Sequence, residues 1–160
     1  MRGGGKLKER FWAKVEKTDT CWNWTGSLVN KGYGMIRDHR STPVTQSAHR
    51  LSYKWHVGPI PEGLFIDHMC HNKACVNPAH LRAVTPKQNM ENRAGASSNS
   101  KTGVRGVSWN KKLNRWLAQT GSGGRKIHVG NFDSIEEAEA AVIAKRNEVM
   151  THNDLDRRAA

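Results

Sequence analysis

The sequence predicts an α+β fold in two small units, and three stretches carry that prediction. Residues 64–84 place two short apolar runs around a polar loop and lead into a helix start at Thr85-Pro86-Lys87-Gln88. Residues 94–102, Ala-Gly-Ala-Ser-Ser-Asn-Ser-Lys-Thr, have almost nothing to bury. After them come three alternating segments and an alanine-rich helix. A chain of 160 residues divided this way gives neither part a large core, so a further stabiliser is expected.

The elements follow in order. Leu7, Phe11 and Val15 recur every four residues among charged neighbours, the pattern of a short amphipathic helix. From Cys21 to Arg37 glycines alternate with aromatic and β-branched residues, predicting strands and tight turns. Ala48 to His56 reads as a helix with Leu51 and Trp55 one turn apart, stopped by Gly58-Pro59. Residues 64–84 predict two strands joined by a long ordered loop. Thr85 then supplies an N-cap, Pro86 the first helical position and Gln88 the residue three after the cap. Asn89, Asn92 and Arg93 are expected to share one face of that helix. Residues 94–102 predict a linker. Gly103–Trp109, Arg115–Thr120 and Lys126–Phe132 predict three strands, with a turn at Gly121–Gly124. Ser134 and Glu137 form a capping box for the last helix, whose apolar face is Ala138, Ala141, Val142 and Val149. The expected divisions are a first domain over 1–93, a linker over 94–102, a second domain over 103–150 and a frayed tail over 151–160.

Lys and Arg outnumber Asp and Glu by 26 to 14, a net charge of +12 that points to a polyanionic partner. The excess is concentrated: residues 86–130 hold nine Lys or Arg, from Lys87 to Lys126, against the single acid Glu91. Such a stretch repels itself unless phosphates neutralise it. No run has the 18 or so apolar residues of a membrane span, and Met-Arg-Gly-Gly-Gly lacks the apolar core of a signal peptide, so the chain is expected in the cytoplasm with no membrane partner. Disulfides are rare there, and the three cysteines Cys21, Cys70 and Cys75 suit metal binding better.

Cys70, Cys75 and His80 fall in one loop, and Cys21 is the only other thiol. A Cys₃His set of this kind suits a structural, tetrahedral Zn²⁺ with no open position. His71 is the alternative fourth ligand. Separately, Asp67-His68 at a strand end and Asn89, 21 residues after His68, put a carboxylate, an imidazole and an amide oxygen into one strand-loop-strand-helix unit. Taken singly these residues also fit a bland reading, in which Asp67 and His68 satisfy each other and Asn89 is solvated.

Residues 21–93 resemble the HNH, or ββα-metal, nucleases, and the spelling Cys70, Cys75, Asn77-Pro78-Ala79-His80-Leu81 is similar to the His-Cys box homing endonucleases and phage HNH enzymes. The resemblance implies that His68 is the general base, that Asp67 and Asn89 hold one catalytic Mg²⁺ or Mn²⁺, and that Asn77 ties down the loop orienting His68. It favours His80 over His71 as the zinc ligand. It implies cleavage of double-stranded DNA to 5′-phosphate and 3′-hydroxyl ends. Arg37, Arg50 and Arg93 are candidates for the scissile phosphate, with Arg50 and Arg93 preferred. A phage origin and host cytoplasm are the implied setting.

Gly103-Val104-Arg105-Gly106-Val107, Arg115-Trp116-Leu117-Ala118-Gln119 and His128-Val129-Gly130-Asn131-Phe132, ahead of the alanine-rich helix, resemble the AP2-type DNA-binding domain. That resemblance implies DNA contacts from Arg105, Trp109, Arg115 and Trp116, with Lys111, Lys126 and His128 beside them. Core packing is the competing role for Trp109 and Trp116. A non-catalytic, zinc-stabilised DNA-binding regulator is the alternative for the whole chain. Oligomeric state, monomer or homodimer, stays open, and with it nicking against double-strand cleavage.

Overall fold

The structure is a computed structural model and describes residues 4–29, 31–39, 41–42 and 44–158. The chain forms two compact units, 1–85 and 86–160. Among the described residues no helix is long and apolar enough to cross a membrane.

The first unit runs α1 (Gly4–Trp12), β1 (Val15–Lys17), β2 (Trp22–Trp24), β3 (Met35–Arg37), β4 (Thr45–Ser47), α2 (Ala48–His56), β5 (Phe65–His68), a 3₁₀ turn (Pro78–His80) and β6 (Leu81–Val84). Its strands form three antiparallel pairs, β1 with β2, β3 with β4 and β5 with β6. The apolar stripe of α1 delivers Phe11, fully buried, between Trp24 and Trp55 with ring centroids 5.0 Å from each. Phe11, Trp24, Ile36, Ala48, Leu51 and Val76 make the core of this unit. Val15 departs from the expected helix. It pairs with Trp24 in the β1–β2 hairpin, where its side chain reaches the same core from a strand. α2 is fastened to the following loop by the buried Ser52 hydroxyl, which donates to the Val76 carbonyl at 2.5 Å.

The second unit contains α3 (Pro86–Glu91), β7 (Val107–Asn110), β8 (Arg115–Ser122), β9 (Arg125–Phe132), α4 (Ile135–Val149) and α5 (Asp154–Arg158). β7, β8 and β9 form one antiparallel sheet in that order. Val107, Ala118, Ala138 and Val142 are the buried centre between sheet and α4. The Ser134 hydroxyl accepts from the Glu137 N–H at 3.1 Å, capping α4 as its sequence predicts. Gly106, at φ +84°, packs so close to the Gln119 carbonyl that a Cβ would collide with it. Only glycine fits both demands.

Three expectations change here. α3 ends at Glu91, so Arg93 lies past the helix rather than on its face; the Asn92 N–H closes the last turn on the Gln88 carbonyl at 3.2 Å. Residues 94–102 lack regular structure, yet the compact second unit begins at Pro86, before them. The tail does not fray over 151–158. Asn153 is buried, and Arg146 clamps Asp156 of α5 through two hydrogen bonds of 2.6 and 3.0 Å. Residues 159 and 160 lie outside the described residues.

Candidate metal and catalytic site

β5 ends in three consecutive buried residues, Ile66, Asp67 and His68. The β5–β6 register sets Arg82 opposite Asp67. Arg82 donates from Nε and Nη2 to Asp67 Oδ2 at 3.1 and 3.0 Å, so a buried carboxylate oxygen meets a cation across the ladder. Sequence reasoning missed Arg82. The signal was the register itself, because pairing His68 with Leu81 puts the next residue of β6 beside Asp67.

His68 Nε2 lies 3.0 Å from the carbonyl oxygen of Cys75. A carbonyl only accepts, so this contact puts the ring proton on Nε2 and makes Nδ1 the basic nitrogen. Burial lowers the pKa of His68 below 6.5, against opposing effects from the Cys75 hydrogen bond and the Asp67 charge. The His49 ring, from the first turn of α2, stands 4.8 Å from the His68 ring, with Tyr33 at 5.6 Å from His49 and 6.0 Å from His68. His49 is only 8% exposed, and its Nδ1 is buried without a hydrogen bond. Burial foremost, then the His68 and Arg50 charges, pull its pKa to about 3. His49 thus presents a neutral imidazole beside His68. The sequence offered no sign of this beyond a histidine opening α2.

Cys21, Cys70, Cys75 and His80 come together, with all their ligand atoms within 4.8 Å of one another. His80 Nδ1 is 3.7 Å from Cys21 Sγ and 3.6 Å from Cys75 Sγ. Ligands of a tetrahedral zinc sit roughly 3.5–3.8 Å apart, given Zn–S and Zn–N bonds of about 2.3 and 2.0 Å. A metal such as zinc therefore fits the set by spacing and by softness. His80, not His71, completes it. Cys75 already has thiolate character: the hydrogen bond from the Cys70 thiol, helped by Asn77 N–H and His80, holds its pKa down to about 4, and the same contact pushes Cys70 up. Asn77 organises this loop. Its Oδ1 accepts from Ala79 N–H at 3.0 Å, capping the 3₁₀ turn that carries His80, and its Nδ2 donates to the Thr20 carbonyl at 3.0 Å, next to Cys21. The carbonyl bonded to His68 belongs to Cys75 of this set, so one loop touches both groups of residues.

The arginine candidates separate. Arg50 is half-buried on α2 beside His49, Arg37 is exposed on β3, and Arg93 is exposed beyond α3. Asn89 is an exposed residue of α3 in the second unit. On the sheet, Trp109 and Trp116 are direct cross-strand partners, 5.0 Å apart, on the side bearing Val107 and Ala118. That is the side α4 covers: Trp116 packs on the core, and Trp109 is 43% exposed at its edge. Arg115, Lys126 and His128 alternate onto the opposite face, and Lys111 is exposed in the β7–β8 turn. Arg115 pairs with Asp133 at 2.8 Å. Arg105 is turned inward instead, donating to the Glu91 carbonyl at 3.0 Å, and burial lowers its pKa. A cavity of about 720 Å³ in this unit has Lys87, Arg93, Arg105, Arg125 and Lys126 on its wall.

Residues 46–91 match the HNH endonuclease family. Over that stretch the chain is similar to an HNH endonuclease domain. It has phage and viral relatives: it is 34% identical over 85 residues to protein 2.8 of Escherichia phage T7, covering 52% of this chain and 57% of that one. Protein 7.7 of the same phage is 39% identical over 75 residues, covering 46% of this chain and 54% of that one. A protein named as an HNH endonuclease in Acanthamoeba polyphaga mimivirus is 40% identical over 91 residues, 56% of this chain and 46% of the viral one. The chain thus spans a little over half the length of the T7 relatives. No solved structure matches it. The HNH match takes in α2, the Asp67-His68 strand end, the zinc-type loop and α3.

Proposed function

We propose that this chain is a divalent-metal-dependent endonuclease that hydrolyses phosphodiester bonds of double-stranded DNA, leaving 5′-phosphate and 3′-hydroxyl ends. The observation that carries the reading is the buried Asp67-His68 strand end, with His68 Nε2 tied to the Cys75 carbonyl so that Nδ1 is the base. His68 Nδ1 takes a proton from the water that attacks phosphorus, the P–O3′ bond breaks, and the departing O3′ takes a proton from solvent water while His68 returns its own to solvent. Asp67 and Asn89 offer hard oxygens that suit Mg²⁺ or Mn²⁺, which would supply charge stabilisation at the phosphate. Arg82 fixes the Asp67 carboxylate in its buried position. Arg50 and Arg93 are the proposed phosphate contacts. Asn77 acts through the zinc-type loop, and zinc at Cys21, Cys70, Cys75 and His80 stiffens the carbonyl that orients His68.

The second unit is the proposed DNA grip, an AP2-like sheet whose outward Arg115, Lys126 and His128, with Lys111, face the phosphates and base edges. Trp116, on the α4 side, serves the core, the exposed edge of Trp109 stays a proposed DNA contact, and Arg105 serves the fold. The setting is a phage genome-processing or homing role in a host cytoplasm. Incubating supercoiled plasmid with the full chain tests the reading. Relaxation or linearisation in Mg²⁺ that EDTA abolishes supports it; tight DNA binding with no cleavage in Mg²⁺ or Mn²⁺ favours a non-catalytic regulator.

A further inference from the structure

The second unit holds a cavity of about 720 Å³, and the face of β8 that α4 covers leads into it. Ala118 is fully buried against α4, and alternation along the strand carries Thr120 and Ser122 onto the same face. Ser122 pairs with Arg125, which therefore shares that side of the sheet. Thr120, Ser122 and Arg125 all line the cavity. The face thus turns from apolar, at Trp116 and Ala118, to two hydroxyls and a guanidinium as it enters the cavity.

Six cations line this space against one acid, Glu91. Two of the six are committed to the fold: Arg105 donates to the Glu91 carbonyl at 3.0 Å, and the buried Arg146 clamps Asp156 at 2.6 Å. Glu91 is committed too, its Oε2 accepting from the N–H groups of Thr151 and His152 at 3.0 and 3.2 Å. Lys87 is exposed and stands 3.8 Å from Glu91 Oε1. Arg125 is exposed and has no ion-pair partner among the described residues. Cations gathered in one cavity repel one another until an anion enters, and guanidinium groups bond phosphate strongly. Yet the wall is not all polar. Met90 on α3 is 65% exposed, and Met150 lines the same cavity. A thioether makes favourable contact with a flat ring about 5 Å away. Cations and methionines on one wall suit a phosphate joined to an aromatic base, and clefts of about 300–1,000 Å³ are usual for a ligand of that size.

We propose that this cavity binds a single nucleotide, with its phosphate held by Arg125 and Lys87 and its base against Met90. The nucleotide is either a free nucleoside 5′-phosphate or one unstacked residue of a DNA strand; the chemistry is shared, and the stacked bases of a duplex do not enter. No part of the site belongs to the proposed cutting centre, so the two readings stand or fall separately.

The test follows the methionine methyl resonances of the zinc-loaded full chain, ¹³C-labelled at those methyls, with no Mg²⁺ or Mn²⁺ added. Met90→Leu identifies the Met90 signal. Titration with deoxyadenosine 5′-monophosphate should move that signal saturably, through the ring current of the base, and inorganic phosphate at the same concentrations should leave it in place. Arg125→Gln changes an exposed side chain and should keep the wild-type melting temperature while weakening nucleotide binding by about tenfold, the scale of a charge-assisted hydrogen bond. A short single strand of mixed sequence and the same sequence as a duplex separate the sources. A single strand that moves the Met90 signal at far lower concentration than the nucleotide makes a DNA strand the source; one that binds no more tightly makes it the free nucleotide, and both results support the site. A Met90 signal unmoved by nucleotide and single strand alike overturns the proposal. So does one moved equally by inorganic phosphate or by the duplex, and so does wild-type nucleotide affinity in Arg125→Gln.

Discussion

His49 makes stability fall with acidity in a way one substitution should remove. Its imidazole is 8% exposed with Nδ1 unpaired, and its pKa in the fold is about 3 against 6.5 for the free side chain. Above pH 6.5 the residue is neutral in folded and unfolded chains alike and contributes no pH dependence. Below 6.5 the unfolded chain takes up a proton that the folded chain refuses, so stability is lost as pH drops from 6.5 towards about 3. The slope is about 1.4 kcal/mol per pH unit, or about 2 kcal/mol between pH 6.5 and 5. His49→Phe fills a similar volume, cannot titrate and removes an unsatisfied buried nitrogen, so it should be as stable as wild type at pH 7 or more so. Urea unfolding of both proteins at pH 7, 6 and 5 in saturating zinc, read as the difference between them, isolates His49 from any loss of metal. The midpoints should diverge by about 2 kcal/mol in favour of the Phe variant by pH 5. Parallel curves would refute the claim that burial holds this imidazole neutral.

Cys75→Ser should release the bound metal and lower the melting temperature sharply, because a structural zinc contributes directly to folding; elemental analysis of the purified wild type should give one zinc per chain, and none would contradict the site. On the second unit, Lys126→Ala and Trp116→Ala should fail differently. Lys126→Ala should weaken DNA binding across all sequences and reduce the salt slope by about 1, whereas Trp116→Ala should cost about 2 kcal/mol of stability with DNA affinity little changed at a temperature where the variant is folded. The reverse pattern would return Trp116 to the DNA face.

The sequence made α2, the β5–β6 pair, the start of α3 and the cap of α4 legible, since each is written in local periodicity and terminal residues such as Gly58-Pro59, Pro86 and Ser134. The Cys₃His cluster was legible as well, because thiols are few and their chemistry is narrow. What escaped depends on long-range pairing. Val15 keeps a helical spacing but sits on a strand, because its partner Trp24 lies in the next hairpin arm and the core accepts it from either backbone. Arg82 became visible only through register, and His49 only through the fold that sets α2 beside β5. The order of residues 151–158 is hidden for the same reason, as its anchor Glu91 lies 60 residues upstream of Thr151 and Arg146, which clamps Asp156, is itself held by the Arg105 carbonyl. Trp109 and Trp116 show the limit of a motif: alternation fixes that they share a face, while the position of α4 decides which.

His68 as the base of a DNA-cutting centre is tested by single-turnover cleavage at matched DNA occupancy. Wild type and His68→Ala would be compared on saturating DNA in Mg²⁺, with occupancy checked in Ca²⁺ and zinc content confirmed equal. His68→Ala should lose about 10²–10⁴ in rate with DNA affinity within a few-fold of wild type. Cleavage by His68→Ala at the wild-type rate per bound complex would contradict it.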